Sequence, residues 1–223
     1  MAHLVIFDLD GTLTDSKRDI ARALSHALRS IGHRVADESV FYPHIGATLE
    51  ETFAAVLPPH RRRRIAGAVA AFKAYYPDHC ADETRLFAGV PEGLAALQMH
   101  GFTLAVATTK RTWMAERVLT LLGIRGRFAH VQGTDDFPYK PDPEIIRRVR
   151  AALADPCDNR RTWMVGDTPR DIETGQRAGV RSAGVLYGYG DADALRRAGP
   201  DLLVDSFHEL VHRLLAGSPT GSD

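Results

Sequence analysis

Residues suited to phosphate chemistry follow an apolar run near the start of this 223-residue chain. Asp8 and Asp10 come directly after residues 4–7, and residues two apart on an extended chain project to the same side. One carboxylate could therefore attack phosphorus while the other exchanges protons with the leaving group and then with water. The sequence predicts a pair of cooperating carboxylates at this point.

Further residues suited to binding phosphate or a cation follow three other apolar runs. In one case a loop separates the apolar run from the residue. They add two hydroxyl groups, one compact positive charge and two more carboxylates, supplied by Thr108 and Thr109, Lys140, and Asp167 and Asp171. Converging carboxylates repel one another unless a cation lies among them, and Mg²⁺ prefers oxygen ligands and binds substrate phosphate. Lys140 could balance the charge of phosphoryl oxygens, and Thr108 could donate hydrogen bonds to them. This set of residues indicates a site for phosphate and Mg²⁺.

The elements that must bring these residues together are the strands of a parallel sheet. Short apolar runs alternate with helical periodicity in the second part of the chain, which predicts a doubly wound α/β fold. In such a sheet the carboxyl ends of the strands meet at one edge, where ligands bind. Between residues 13 and 85 the periodicity is helical, with a capping box at 48–51 and no convincing strand. We therefore expect a Rossmann-like core at 1–14 and 86–223 and an all-helical insertion at 15–85.

Composition excludes several classes of protein. Lys plus Arg and Asp plus Glu both total 28, so no overall electric field favours nucleic acid or an anionic membrane. Cys80 and Cys157 are far apart and predict small, buried apolar residues rather than a disulfide framework or a zinc site. No signal peptide is visible and no apolar run approaches the ~20 residues of a membrane span. We expect a cytoplasmic monomer or homodimer that acts on a small molecule, with a disordered tail at 217–223.

Four segments resemble, in order, the four sequence signatures of the haloacid dehalogenase superfamily. They are residues 8–16 (DLDGTLTDS), 108–110 (TTK), 140–143 (KPDP) and 166–171 (GDTPRD). The match spans nearly the whole chain, and it implies that the helical insertion is a cap over the catalytic core. Dehalogenases generally lack a second carboxylate two residues after the nucleophile, so the presence of Asp10 favours phosphoryl chemistry.

The resemblance also implies a role for each matching residue. Asp8 would be the nucleophile and Asp10 the general acid and base of a phosphatase. Mg²⁺ would be held by Asp8, the backbone carbonyl of Asp10 and Asp167 with support from Asp171, and phosphate by Thr108, Thr109 and Lys140. The overall pattern is most similar to phosphoglycolate phosphatases. Tyr42 and His44 of the cap are candidates for substrate selection.

Other functions remain open at this point. A sugar phosphomutase resembling β-phosphoglucomutase and a pyrophosphatase of the same fold would use the same four signatures. Isomerisation of a hexose 1-phosphate without phosphate release would favour the first, and pyrophosphate turnover the second. A non-catalytic relative that binds phosphate or a partner protein is the third alternative, and the complete set of catalytic residue types argues against it.

Two further motifs have simpler interpretations. Residues 208–212 fit the H-E-x-x-H pattern of zinc proteases. An apolar stripe through the same segment predicts instead the closing helix of the sheet, formed by Phe207, Leu210, Val211, Leu214 and Leu215. The arginine run 61–64 is typical of a solvated helix face, with contact to substrate or a partner as the alternative.

Overall fold

Eight strands are present in the described part of the chain, which comprises residues 3–154 and 158–217 of the computed structural model. They are β1 (His3–Phe7), β2 (Thr14–Asp15), β3 (Arg85–Leu86), β4 (Phe102–Thr108), β5 (His130–Gly133), β6 (Thr162–Gly166), β7 (Arg181–Val185) and β8 (Leu202–Val204). Six of them form a parallel sheet in the order β5-β4-β1-β6-β7-β8. Because β1 lies between β4 and β6, residues that follow these three strands are neighbours.

Nine α-helices accompany these strands in the described residues. They are α1 (Lys17–Ser30), α2 (Leu49–Val56), α3 (Ile65–His79), α4 (Val90–Met99), α5 (Thr112–Leu121), α6 (Glu144–Ala152), α7 (Pro169–Arg177), α8 (Ala192–Arg197) and α9 (Phe207–Ala216). Short 3₁₀ helices at Glu38–His44 and Pro59–Arg64 precede α2 and α3. None of the described helices combines the length and hydrophobicity needed to cross a bilayer.

Both faces of the sheet are covered, which explains why its central strand is apolar without alternation. Val5 and Phe7 of β1 belong to one hydrophobic cluster, whereas Leu4 and Ile6 belong to a second cluster on the other face. Helix α6 contributes to the second cluster, and α4 and α9 contribute to the first. The predicted Rossmann-like, doubly wound α/β fold is confirmed.

The chain between β2 and β3 forms the helices α1 to α3, and we call residues 17–79 the helical segment. Helix α1 packs against α3 through its apolar face. The predicted capping box at the start of α2 is confirmed: the Thr48 N–H donates to Glu51 Oε2 at 2.9 Å, and the Glu51 N–H donates to Thr48 Oγ1 at 3.1 Å. These two bonds satisfy backbone donors that the first helical turn leaves unpaired.

The prediction that no strand lies between residues 13 and 85 is wrong at the two ends of that range. Thr14 and Asp15 form β2 and pair antiparallel with Leu86 and Arg85 of β3. Strands of two residues are too short to show an alternating pattern, and their pairing joins distant parts of the chain. The resulting ribbon connects the helical segment to the parallel sheet.

Two other predictions concern cysteine and the chain terminus. Cys80 is buried, as predicted, and its thiol donates to the Pro77 carbonyl at 3.4 Å. Cys157 and residues 218–223 of the tail lie outside the described residues.

Candidate active site

Three of the four sequence signatures end at the same edge of the sheet. Phe7 of β1 pairs with Val106 of β4 and Val165 of β6, so the residues beyond them lie side by side. The Asp8 N–H donates to the Val165 carbonyl at 2.8 Å, which continues the strand pairing to the first acidic residue. Asp8, Thr108 and Asp167 are all buried there.

The remaining signature, residues 140–143, reaches this edge through Lys140. Its Nζ atom lies 2.9 Å from Asp8 Oδ1 and 2.6 Å from Asp171 Oδ1, and it donates to the Ala107 carbonyl at 3.3 Å. Burial alone would lower the pKa of this ammonium group, but the carboxylates of Asp171 and Asp8 raise it above its usual value. Lys140 is therefore a permanent positive charge beside the predicted nucleophile.

Asp167 completes the group of acids. One oxygen from each of Asp8, Asp167 and Asp171 lies within 4.8 Å of the others. Burial, followed by repulsion from Asp171 and Asp8, raises the pKa of Asp167 to about 7. Burial is also the first cause that raises the pKa of Asp8 to about 6, with Lys140 opposing the shift and Asp171 adding to it. Lys140 thus pairs with two of these three buried carboxylates, Asp8 and Asp171.

The backbone around Asp167 fixes its position. Its Oδ2 atom accepts from the N–H groups of Tyr189 at 2.8 Å and Gly190 at 3.3 Å. Gly11 has a φ of +82°, and a Cβ atom there would lie 2.3 Å from Asp167 Oδ2. A side chain at that position would therefore collide with the carboxylate as well as strain the backbone.

This donor set fits a divalent cation. Within residues 3–154 and 158–217, the three carboxylates are the one group of acidic, histidine or cysteine side chains with the spacing of a metal site. Asp8 Oδ1 is buried and makes no hydrogen bond of acceptable geometry, although Lys140 Nζ is 2.9 Å away. Oxygen atoms of this kind suit Mg²⁺, whose charge would relieve the repulsion among them.

Besides its predicted support of the metal site, Asp171 binds Lys140 and Thr168. Its Oδ1 atom pairs with Lys140, and its Oδ2 atom accepts from the Thr168 N–H at 3.1 Å and the Thr168 hydroxyl at 2.7 Å. Both oxygens are therefore engaged by the protein. Asp171 orients Lys140 and the first turn of α7, and any contribution to a metal site would act through this network.

Asp10 has partners that sequence reasoning missed. Its carboxylate forms an ion pair with Lys110, which directly follows Thr109, and it accepts a hydrogen bond from the Ser16 hydroxyl. Ser16 and Lys110 both lie inside signature segments, so their positions were available as a signal. Their types alone did not indicate that they would hold the second carboxylate.

Comparison with known proteins places this arrangement in a family. The family model described as haloacid dehalogenase-like hydrolase matches residues 5–185. The chain belongs to the haloacid dehalogenase-like hydrolases. It is 37% identical over 222 residues to the protein named "Probable phosphatase IndB" of Dickeya dadantii, a match that covers 96% of each chain. It is 33% identical over 219 residues to a phosphoglycolate phosphatase of Neisseria meningitidis serogroup A, covering 94% of this chain and 92% of that protein.

A solved structure agrees with the fold of this haloacid dehalogenase-like hydrolase. A hydrolase of the same family from Streptococcus pneumoniae superposes with a TM-score of 0.86 at 24% identity, covering 95% of this chain and 98% of that one. The family model and the named relatives confirm the resemblance found in the sequence and the predicted enzyme class, a hydrolytic phosphatase.

The hydrolase has a cavity of about 160 Å³ beside Asp10. Thr109 and Lys110 line it from the sheet edge, and His44 and Tyr76 line it from the helical segment. The other predicted selector, Tyr42, is not among the described lining residues, and its ring lies 6.0 Å from Lys17 Nζ. Of the two candidates in the cap, the structure brings His44 to the cavity and leaves Tyr42 outside it.

The two competing motifs have structural roles in this hydrolase. His208 and His212 are exposed on α9, and the opposite side of that helix is buried against the sheet. The predicted closing helix is therefore confirmed, and these histidines belong to no metal-site grouping among the described residues. In the arginine run, Arg61 donates to the Gly32 carbonyl at 2.6 Å, and Arg64 donates to the Ile31 carbonyl. These arginines cap the end of α1.

Proposed function

We propose that this hydrolase cleaves a small phosphate monoester, with phosphoglycolate as the model substrate, through an aspartyl phosphate on Asp8. The observation that carries the proposal is the contact of Lys140 with Asp8 and Asp171 at the strand ends. A buried carboxylate next to a permanent cation can remain an anionic nucleophile while the cation stabilises charge on the phosphoryl oxygens. The relatives named as phosphatases support the same reaction class.

The first step transfers the phosphoryl group to the enzyme. An oxygen of Asp8 forms a bond to phosphorus, and the bond between phosphorus and the ester oxygen breaks. Asp10 gives a proton to that oxygen, so the product leaves as an alcohol. Thr108, Thr109 and Lys140 would bind the phosphoryl oxygens during the transfer, since all three lie at the sheet edge or next to Asp8.

The second step releases phosphate. Asp10, now a carboxylate, takes a proton from water, and the water oxygen forms a bond to phosphorus. The bond between phosphorus and Asp8 breaks, which restores both carboxylates to their starting states. The position of Asp10 at the border of the cavity supports this role, because the leaving alcohol and the incoming water must reach the same atom in turn.

Asp8, the backbone carbonyl of Asp10 and Asp167 would hold Mg²⁺, with Asp171 in support. The ion would supply positive charge that lets the substrate phosphate approach three carboxylates. The spacing of the acids supports this assignment, as does the buried Asp8 Oδ1 atom, which accepts no hydrogen bond of acceptable geometry.

We further propose that the chain divides into a core at 1–14 and 86–223 and a cap at 15–85. The cavity supports this division, because the proposed cap supplies His44 and Tyr76 opposite residues of the core. A cap that covers the cavity would exclude bulk water during transfer. His44 is the better supported substrate selector, and Tyr42 would act from outside the cavity.

The deciding experiment is a panel of phosphate esters assayed with Mg²⁺ and again after chelation. We expect phosphate release from phosphoglycolate with Mg²⁺ and none without it. Asp8→Asn should reduce turnover by about 10⁴-fold or more while the circular dichroism spectrum is unchanged. Turnover that survives this substitution would refute the mechanism. Faster turnover of pyrophosphate, or conversion of a hexose 1-phosphate without phosphate release, would favour the pyrophosphatase or the mutase instead.

A further inference from the structure

Lys110 places a positive charge in the wall of the cavity. Its side chain is 11% exposed, and its ammonium group forms an ion pair with Asp10. A lysine ammonium carries three hydrogen-bond donors. Among the described residues, Asp10 and the Tyr76 hydroxyl are the groups that contact this ammonium, so at least one of its donors remains for a ligand in the cavity.

Tyr76 presents a second donor at the same place, from the opposite side. It lies in α3 of the helical segment, is 3% exposed, and lines the cavity. Its ring centroid is 5.2 Å from Lys110 Nζ, and its hydroxyl oxygen lies close enough to that ammonium to interact with it. No described residue makes a hydrogen bond of acceptable geometry with this hydroxyl, so its O–H group has no acceptor among them. Buried tyrosine hydroxyls usually have a partner, and a buried O–H without an acceptor is unfavourable. Burial raises the pKa of Tyr76 above its usual value, so the hydroxyl stays protonated and able to donate.

The rest of the lining favours a ligand with one negative charge. Much of the wall is apolar, formed by Ile20, Leu24, Ile45, Phe72 and Met114. Lys73 and Arg111 add positive charge at exposed positions, and the acids of the lining are Asp10, already paired, and the exposed Glu50. An anion that enters would therefore meet an excess of donors, with Lys110 as the buried cation among them.

We infer that Lys110 and Tyr76 bind a carboxylate on the leaving-group side of the phosphate ester. The inference rests on the proposed function and names the two residues that would recognise the carboxylate of its model substrate. The contact between Lys110 and Asp10 restricts the distance between the ester oxygen and the carboxylate of the substrate. Asp10 must reach the ester oxygen while Lys110 binds the carboxylate. These two groups of the substrate must therefore lie within a few bonds of each other, as they do in phosphoglycolate.

The cavity has room for the leaving group of such an ester. A cavity of about 150 Å³ in another protein holds benzene, so a space of about 160 Å³ beside Asp10 accommodates a group as small as glycolate. A carboxylate also matches a single buried cation better than a second phosphate does, since the latter carries more charge to be balanced.

The test compares two esters that differ in one group. Phosphoglycolate carries the carboxylate, and 2-hydroxyethyl phosphate has a neutral hydroxymethyl group in its place. The quantity of interest is the ratio of kcat/KM for the two esters, measured with Mg²⁺ for the wild type and each variant. We expect the wild type to prefer phosphoglycolate, and Lys110→Met to lower the ratio on the order of 10- to 100-fold, the effect of losing a hydrogen bond to a charged group.

Tyr76→Phe provides a variant that is not expected to disturb folding. It should lower the ratio about 3- to 10-fold, as expected for one hydrogen bond, while the thermal midpoint stays the same or rises. The thermal midpoint separates binding from a structural role, because the substitution removes a buried O–H group that donates to no acceptor in the described structure.

Lys73→Met is the matched control, since it removes the same charge from an exposed position of the lining. An equal loss of preference in this variant would overturn the inference in favour of a diffuse electrostatic effect. An unchanged ratio in Lys110→Met, or a preference for pyrophosphate that the same substitution removes, would also overturn it. If the wild type hydrolysed both esters without preference, the inference alone would fail; if it hydrolysed neither, the proposed function would fail with it.

Discussion

Arg170 and Glu51 join the core of the molecule to its helical segment through a two-point contact. Arg170 lies in the first turn of α7, and its Nη1 and Nη2 atoms each lie 3.2 Å from one oxygen of Glu51 in α2. Arg170 directly precedes Asp171, and Glu51 also caps its own helix through Thr48. The guanidinium group of Arg170 is the first cause that lowers the pKa of Glu51. The contact therefore ties the helical segment to the turn that holds Asp171.

We predict that Glu51→Gln changes the apparent affinity for substrate more than the chemical step. The two side chains are 51% and 37% exposed, so solvent screens the pair and its contribution is at most about 1 kcal/mol. KM should rise by less than about 5-fold, with kcat nearly unchanged. Glu173→Gln is the control, because it breaks a similar pair with Arg177 within α7. Equal kinetic effects of both substitutions would argue against a role for the contact between the two parts.

Lys140→Met should be far more damaging. The substitution leaves Asp8 and Asp171 buried without their shared cation, and breaking a buried ion pair in this way costs about 3–5 kcal/mol. Thermal unfolding should show a lower midpoint, and turnover should fall by about 10³-fold or more because phosphoryl charge is no longer stabilised. A variant that kept both stability and turnover would remove Lys140 from the mechanism.

The acidic group also predicts how pH affects the metal-free protein. Burial raises the pKa of Asp8 to about 6 and that of Asp167 to about 7, both above their values in an unfolded chain. The folded state therefore retains protons that the unfolded state loses as the pH rises above about 4. The free energy of unfolding should fall by a few kcal/mol between about pH 4 and pH 7 and then level off.

Calorimetry in chelator and in Mg²⁺ would measure this dependence. Mg²⁺ should raise the thermal midpoint more at pH 8 than at pH 5, because it binds the ionised carboxylates. Asp167→Asn should make the metal-free pH dependence shallower, since it removes one of the two titrating groups. The same slope in the wild type and the variant would show that other groups cause it.

Substitution of both histidines of α9 should leave the reaction intact. His208→Ala and His212→Ala alter exposed positions on the side of the helix that faces away from the sheet. Surface changes of this kind usually shift stability by less than about 0.5 kcal/mol. Phosphate release with Mg²⁺ should match that of the wild type, with no requirement for zinc. Loss of activity in a folded variant would revive the zinc hypothesis.

Short-range patterns in the amino-acid sequence are sufficient to predict the parallel sheet and the location of the paired carboxylates. Residues 4–7 are apolar without alternation because both faces of β1 are covered, and Asp8 comes where that run ends. The capping box at Thr48 and Glu51 was equally accessible. Such features depend on residues that are close in the chain, so their pattern is preserved in the sequence.

Which charged groups form ion pairs depends on contacts that exist only in the folded chain. Lys110 holds Asp10, whereas Lys140 lies between Asp8 and Asp171. Nothing in the residue types assigns either lysine to either set of acids. The assignment follows from which strands are neighbours and from the path of the loop that carries Lys140.

The surroundings of Tyr76 likewise depend on contacts between distant parts of the chain. Val69 and Phe72 of α3 are buried at helical spacing, which is a pattern visible in the sequence, but periodicity does not state what lies opposite a buried side chain. The Tyr76 O–H group has no described acceptor and borders a cavity beside Lys110, and this arrangement depends on contacts between the helical segment and the sheet. Contacts between distant parts of the chain leave no local pattern, so they emerge only when the chain is folded.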